Sequence, residues 1–151
     1  MWKALTAGLT VSVLLSACGA GTPTLRSTVT GDLAPCGAGP HCVSTQETRE
    51  GYQIEPLRYT GSAVAAREKL VRVLKRMESQ GYAVVTSEGD YVHATYTTGT
   101  MKYVDDLEFV FSQKDRGVIH VRSSSRIGYA DFGANRKHVE EVRTAYTIAK
   151  S

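Results

Sequence analysis

Apolar residues recur along this chain with two different periods, and the changes of period mark its elements. Ala66, Leu70, Val73, Leu74 and Met77 fall at i, i+4, i+7, i+8 and i+11, one face of an α-helix, while Arg67, Lys69, Arg72 and Lys75 lie largely off that stripe. Ser62 is placed to cap the first turn of this helix and Gly81 to stop it. Beyond Gly81 the period falls to two. Residues 82–86 and 91–97 are rich in β-branched and aromatic side chains, with the turn composition Ser87-Glu88-Gly89-Asp90 between them. Residues 104–112 and 118–125 form a second such pair. Val139, Val142, Tyr146 and Ala149 return to helical spacing and predict a terminal helix over 136–149. Ahead of the first helix, residues 53–59 look extended, and Pro56 restricts them to an edge strand or strand-like arm. The order strand, helix, four strands, helix predicts an α+β domain: a mostly antiparallel sheet of about five strands with two helices packed on one face.

The first stretch has neither period. Met1-Trp2-Lys3 supplies one positive charge, residues 4–15 are a short apolar run, and Leu15-Ser16-Ala17-Cys18 sets small residues before a cysteine. The 14 residues from Ala4 to Ala17 (17 − 4 + 1) fall short of the roughly 20 that span a bilayer, which favours a cleaved export signal. The pattern resembles the lipobox of bacterial lipoproteins. That resemblance implies cleavage after Ala17, a diacylglyceryl thioether on Cys18 and further N-acylation, for example with palmitate. Two or three acyl chains hold a protein on a membrane where one would not. Residues 18–35, rich in Gly, Thr and Ser, are expected to be a flexible tether. The expected layout is therefore a signal peptide over 1–17, a tether over 18–35 and a single domain over 36–151. The expected location is the bacterial cell envelope. Gly19 rather than Asp after the cysteine resembles sorting to the periplasmic face of an outer membrane, where the source has two membranes.

Composition adds limits. With 42% hydrophobic residues the chain can bury a core, and its net charge of +3, or +2 once Lys3 is removed, is too weak to point to nucleic acid. Cys36 and Cys42 enclose Gly37, Gly39 and Pro40, a loop able to turn tightly, and an oxidising envelope favours a disulfide there. A redox pair, or a metal site using His41, lacks the usual CxxC spacing. No cofactor or metal is expected: His93 and His120 come without a third ligand, and the acids have no EF-hand spacing.

Strand phase then sorts the charged residues. Leu107, Phe109 and Phe111 point one way, and Asp106, Glu108 and Val110 the other. Turning the second hairpin sets Phe109 against Val121, Phe111 against Ile119, Glu108 against Arg122 and Asp106 near Ser124. One face is apolar and meets the helices. The opposite face carries a ladder of Asp106, Glu108, His120, Arg122, Ser124 and Arg126, joined by His93 and Thr95. Asp105 and Asp106 point to opposite sides, so they are no acid–base dyad. Beyond the strand, Arg126, Asp131, Asn135 and Arg136 lie in a Gly-punctuated loop entering a helix, where Arg side chains beside a helix N-terminus can take an anion. Asp131 or Asn135 serving only as a helix cap is the plainer alternative. Ser123, Ser124 and Ser125 lack a GxSxG elbow, which leaves a serine-hydrolase reading with little support.

Several of these segments carry a family resemblance. Cys42-Val43-Ser44-Thr45, Ile54-Glu55-Pro56, Tyr91-Val92-His93-Ala94, Asp105-Asp106-Leu107-Glu108-Phe109 and above all Arg122-Ser123-Ser124-Ser125-Arg126-Ile127-Gly128, with Asp131, Gly133, Asn135 and Arg136 following, resemble domain-of-unknown-function family 1499 of bacteria and plastids. Thr45 stands where the family generally has serine. The resemblance supports pairing of Cys36 with Cys42 and supplies no activity.

Three functions fit the sequence. The first is a binding module holding an anionic ligand with Arg122, Ser124, Arg126, Asn135 and Arg136, the guanidinium groups oriented by Asp106, Glu108 and Asp131. The second is an envelope hydrolase or transferase using Glu108 or Asp131 with His93 or His120, which requires a carboxylate of raised pKa in a closed pocket. The third is a structural or assembly factor that binds another envelope protein, for which an exposed apolar patch is the sign. Mass spectrometry of the protein purified from its membrane should find the chain beginning at an acylated Cys18; an N-terminus elsewhere sinks the lipobox assignment.

Overall fold

The computed structural model describes Leu25 and residues 32–150. The expected signal segment, Cys18 and the tether up to residue 31, Leu25 apart, lie outside the described residues.

A six-stranded antiparallel sheet carries two helices. The strands are β1 (Cys42–Ser44), β2 (Leu57–Arg58), β3 (Tyr82–Glu88), β4 (Tyr91–Thr97), β5 (Val104–Phe111) and β6 (Val118–Ser125); the helices are α1 (Ala63–Arg76) and α2 (Ala134–Ile148). Their spatial order is β1-β6-β5-β4-β3, with β2 also paired to β6. β1 lies against Arg122 to Ser124 and β2 against Val118 and Ile119, both antiparallel to β6. The two behave as one edge strand interrupted by the excursion between them. β1 was not anticipated, because three residues are too few to show a period, and the expected arm over 53–59 shrinks to Leu57 and Arg58.

The helices form where the pattern places them. The Ser62 side chain accepts a hydrogen bond from the Ala65 N–H and caps α1. After Met77 a short 3₁₀ turn (Glu78–Gln80) leads to Gly81 at φ 105°, where a Cβ would meet the Thr97 carbonyl oxygen at 2.7 Å. Only glycine fits that stop. α2 begins at Ala134, two residues earlier than expected, after Gly133 at φ 85°.

Both helices cover the same face of the sheet, α1 against β3 and α2 against β6. Ala66, Leu70, Val73, Leu74 and Met77 meet Val92, Ala94, Leu107, Phe109, Phe111, Ile119 and Val121 from the strands and Val139, Val142 and Tyr146 from α2. β5 and β6 pair Phe109 with Val121, Phe111 with Ile119, Glu108 with Arg122 and Asp106 with Ser124, the register strand phase requires. Cys36 and Cys42 form a disulfide with Cα atoms 5.6 Å apart. Leu33 and Ala34 are also buried, so packing begins ahead of Cys36. Closing so short a loop contributes about 2 kcal/mol on the chain-entropy model.

Leu70 is fully buried at the centre of this core. Leu70→Ala should therefore lower the unfolding free energy by about 2–5 kcal/mol in a denaturant titration; a change below about 1 kcal/mol would contradict the packing described.

Candidate functional site

The polar ladder on the face away from the helices is present, but it is buried. Asp106, Glu108, Arg122 and His93 are each exposed by 4% or less. Their charges are spent on one another. The Arg126 guanidinium donates twice to Asp106, Nε to Oδ2 at 2.8 Å and Nη2 to Oδ1 at 2.9 Å, and His93 Nε2 lies 2.7 Å from the same Oδ1. Arg122 Nη1 donates to Glu108 Oε2 at 3.1 Å, and the Tyr91 hydroxyl donates to Glu108 Oε1 at 2.8 Å. His120 pairs through Nδ1 with the Thr45 hydroxyl, whose oxygen also accepts the Val121 N–H. Burial pushes the Asp106 carboxyl up, but hydrogen bonds from Arg126 and His93 outweigh it and hold the pKa below the ordinary value.

The sheet separates these residues from the second half of the expected constellation. Ser123 and Ser125 point to the helix face, where Asn135 is wholly buried and collects them. Ser123 donates to Asn135 Oδ1 at 2.6 Å. Asn135 Nδ2 lies 3.0 Å from the His41 carbonyl oxygen, 2.9 Å from Ser125 Oγ and 2.7 Å from Asp131 Oδ2. Asp131 also accepts the backbone N–H groups of Gly133 and Asn135, closing the first turn of α2. Burial raises its pKa, and these hydrogen bonds more than offset that, leaving it lowered.

Two sequence expectations are corrected by this arrangement. Arg136 does not join Arg122 and Arg126: its Nη2 donates to the carbonyls of Gly51 and Gln53, at 3.0 and 2.7 Å, and clasps that loop to α2. Of the acid–histidine pairs of the catalytic reading, His93 and Glu108 stand opposite each other in β4 and β5, but His93 bonds Asp106, Glu108 accepts from Arg122 and Tyr91, His120 bonds Thr45, and Asp131 caps the first turn of α2. Asp105 and Asp106 do point to opposite sides. Asp105 faces His138 Nε2 across 3.2 Å, close enough for charge attraction though not aligned as a hydrogen bond. His138 stacks on Tyr96, and the neighbouring Tyr82 hydroxyl, its pKa raised by burial and by Glu141, donates to Glu141 at 2.6 Å. Asp105, Tyr82 and His138 are all buried. The strand phase of Asp105 was readable, whereas the helix rotation that brings His138 to it was not.

What the sequence did not suggest lies at the end of the sheet. Arg126 N–H bonds to the Val104 carbonyl, so the loop entering β5 and the loop leaving β6 emerge side by side. Met101 and Tyr103 on the first are 62% and 44% exposed; Ile127, Tyr129 and Phe132 on the second are 45%, 83% and 101% exposed. Phe132 also holds φ 51°, a left-handed conformation costing roughly 1–2 kcal/mol in a residue with a Cβ. Two aromatic rings in a loop that belongs to no periodic segment were the available signal.

Elsewhere, a cleft of about 500 Å³ opens between β2, α1 and α2, lined by Leu57, Ala66 and Tyr146 with Arg58, Lys69 and Arg72 at its rim. Among the described residues no three His, Cys, Asp or Glu side chains converge to hold a metal ion, and no helix is long and apolar enough to cross a membrane.

The described residues thus form an α+β fold with buried ion pairs and two polar hubs. The chain belongs to the family described as Protein of unknown function (DUF1499), which matches residues 32–146. No curated protein and no solved structure matches the chain.

Asp106 has a lowered folded pKa, so its contribution to stability is complete above the ordinary aspartate value of 3.8 and is lost as the pH falls below it. Wild type should lose melting temperature as the pH drops below about 4, and Asp106→Asn should show a shallower loss. At neutral pH the same variant should be less stable by about 2 kcal/mol, below the cost for a wholly buried pair because Arg126 is partly exposed. An unchanged acid profile in the variant would remove Asp106 from the stability network.

Proposed function

We propose that the protein is a lipid-anchored module of the bacterial cell envelope that works by docking, and that its contact surface is the apolar end of the sheet. The single observation carrying this is Phe132. Burying a side chain of this size is worth about 1.5–3 kcal/mol, yet here the ring stands wholly in solvent on a strained backbone. Contiguous exposed apolar residues on a small domain mark interaction sites.

The polar residues first suspected of binding an anion support this reading as scaffold. Arg122 and Arg126 are neutralised by Glu108 and Asp106, and Arg136 is occupied by backbone carbonyls. Asp131 and Asn135 bracket Phe132 and fasten the loop to α2 and β6. Catalysis by Asp131 is disfavoured because its carboxyl is held below the ordinary range, the opposite of what a general base at neutral pH needs, and Glu108, the other candidate, is wholly buried and accepts from Arg122 and Tyr91. The lipid anchor rests on Leu15-Ser16-Ala17-Cys18.

Hydroxyl-radical footprinting checks the contact surface. Oxidation of Met101, Tyr129 and Phe132 should fall several-fold in intact envelope vesicles relative to the full-length protein purified in detergent-free form or in amphipol. Equal oxidation of these residues in both would rule the docking surface out.

A further inference from the structure

We infer that the partner of this surface is the lipid bilayer itself, the loops at 98–103 and 126–133 dipping their side chains into the interface between headgroups and acyl chains. This rests on the docking reading above and names its occupant.

The chemistry of the exposed side chains matches that depth. Tyr103 and Tyr129 combine an apolar ring with a hydroxyl, the combination that settles at headgroup level, while Ile127, Met101 and Phe132 carry no polar group and suit the layer beneath. Lys102 stands between Met101 and Tyr103 and is exposed, placed to meet phosphate while its stem lies on apolar surface. These residues sit on two adjacent loop tips projecting from one end of a sheet. Such tips enter a fluid interface without needing a complementary partner surface.

The disulfide loop lies at the same end of the sheet. Cys36 is bonded to Cys42, which pairs with Ser124 one residue before the end of β6. The loop between the two cysteines lies against the aromatic loop: the Pro40 carbonyl accepts the Asp131 N–H, and the His41 carbonyl accepts the Ser125 N–H. From the disulfide the chain runs back past Ser44 and Gln46 to Asp32, where the continuous run of described residues begins. Fourteen residue steps lead from Cys18 to Asp32 (32 − 18), a span of at most about 50 Å when fully extended, which keeps the domain within reach of the membrane that holds it.

The experiment uses full-length protein reconstituted through its anchor into vesicles of phosphatidylethanolamine and phosphatidylglycerol, with Phe132→Trp as reporter and Tyr129→Trp as a second. Trp2 is the only tryptophan of the chain and falls in the segment expected to be removed, so wild type carried in parallel gives the background. The expected result is blue-shifted emission on reconstitution and a clear loss of intensity when the acyl chains are brominated. Water-like, unquenched emission from both reporters, in protein that still floats with the vesicles, overturns the bilayer assignment while leaving the anchor intact; footprint protection persisting in native envelopes would then assign the surface to a protein. Failure of the protein to float overturns the anchor and the insertion together.

Discussion

Asn135 is the point on which one whole end of the molecule depends. Its amide joins a strand, a helix, the disulfide loop and the aromatic loop through Ser123, Ser125, Asp131 and the His41 carbonyl. Two N–H groups shared among three acceptors leave no capacity for a ligand. The group is wholly buried, so each missing partner would expose an unsatisfied dipole to an apolar interior at a cost of about 1–3 kcal/mol. Such a hub tolerates one arrangement, which is how a loop bearing bare aromatic rings is kept from collapsing onto the nearby core.

The opposite face solves a different problem. The alternation of β5 and β6 commits Asp106, Glu108, Arg122 and Arg126 to one side, and burial there is tolerable because every charge meets its complement. One imperfection remains, since Arg122 Nε is buried without a hydrogen-bond partner. An ion-pair layer of this kind adds little net stability compared with an apolar one of equal shape. It does penalise any slip in strand register, because a shift of one residue would turn the carboxylates of β5 into the apolar layer packed against the helices.

The sequence was most informative where a period ran long. The stripe from Ala66 to Met77 reported α1 and its buried face, and the alternation from Leu107 to Phe111 reported both the register of β5 with β6 and the composition of each face. β1 escaped notice because pairing, not patterning, makes it a strand. The candidate cluster was legible as a list of residues but not as a place: strand phase fixed the side for Arg122 and Arg126, while Arg136, on the helix that follows the loop, depends on how α2 rotates over the sheet. The exposed loop is illegible in the sequence for a related reason. An aromatic residue counts as core until coordinates reveal that nothing packs on it.

One feature of β3 bears on what the molecule cannot do. Its register with β4 breaks between Val84 and Thr86, and Val85 bulges outward with its side chain 56% exposed. A strand with such a kink offers an incoming chain no continuous row of donors and acceptors, so the free margin of the sheet is spoiled for strand addition. The domain is thereby guarded against polymerising side to side through β3.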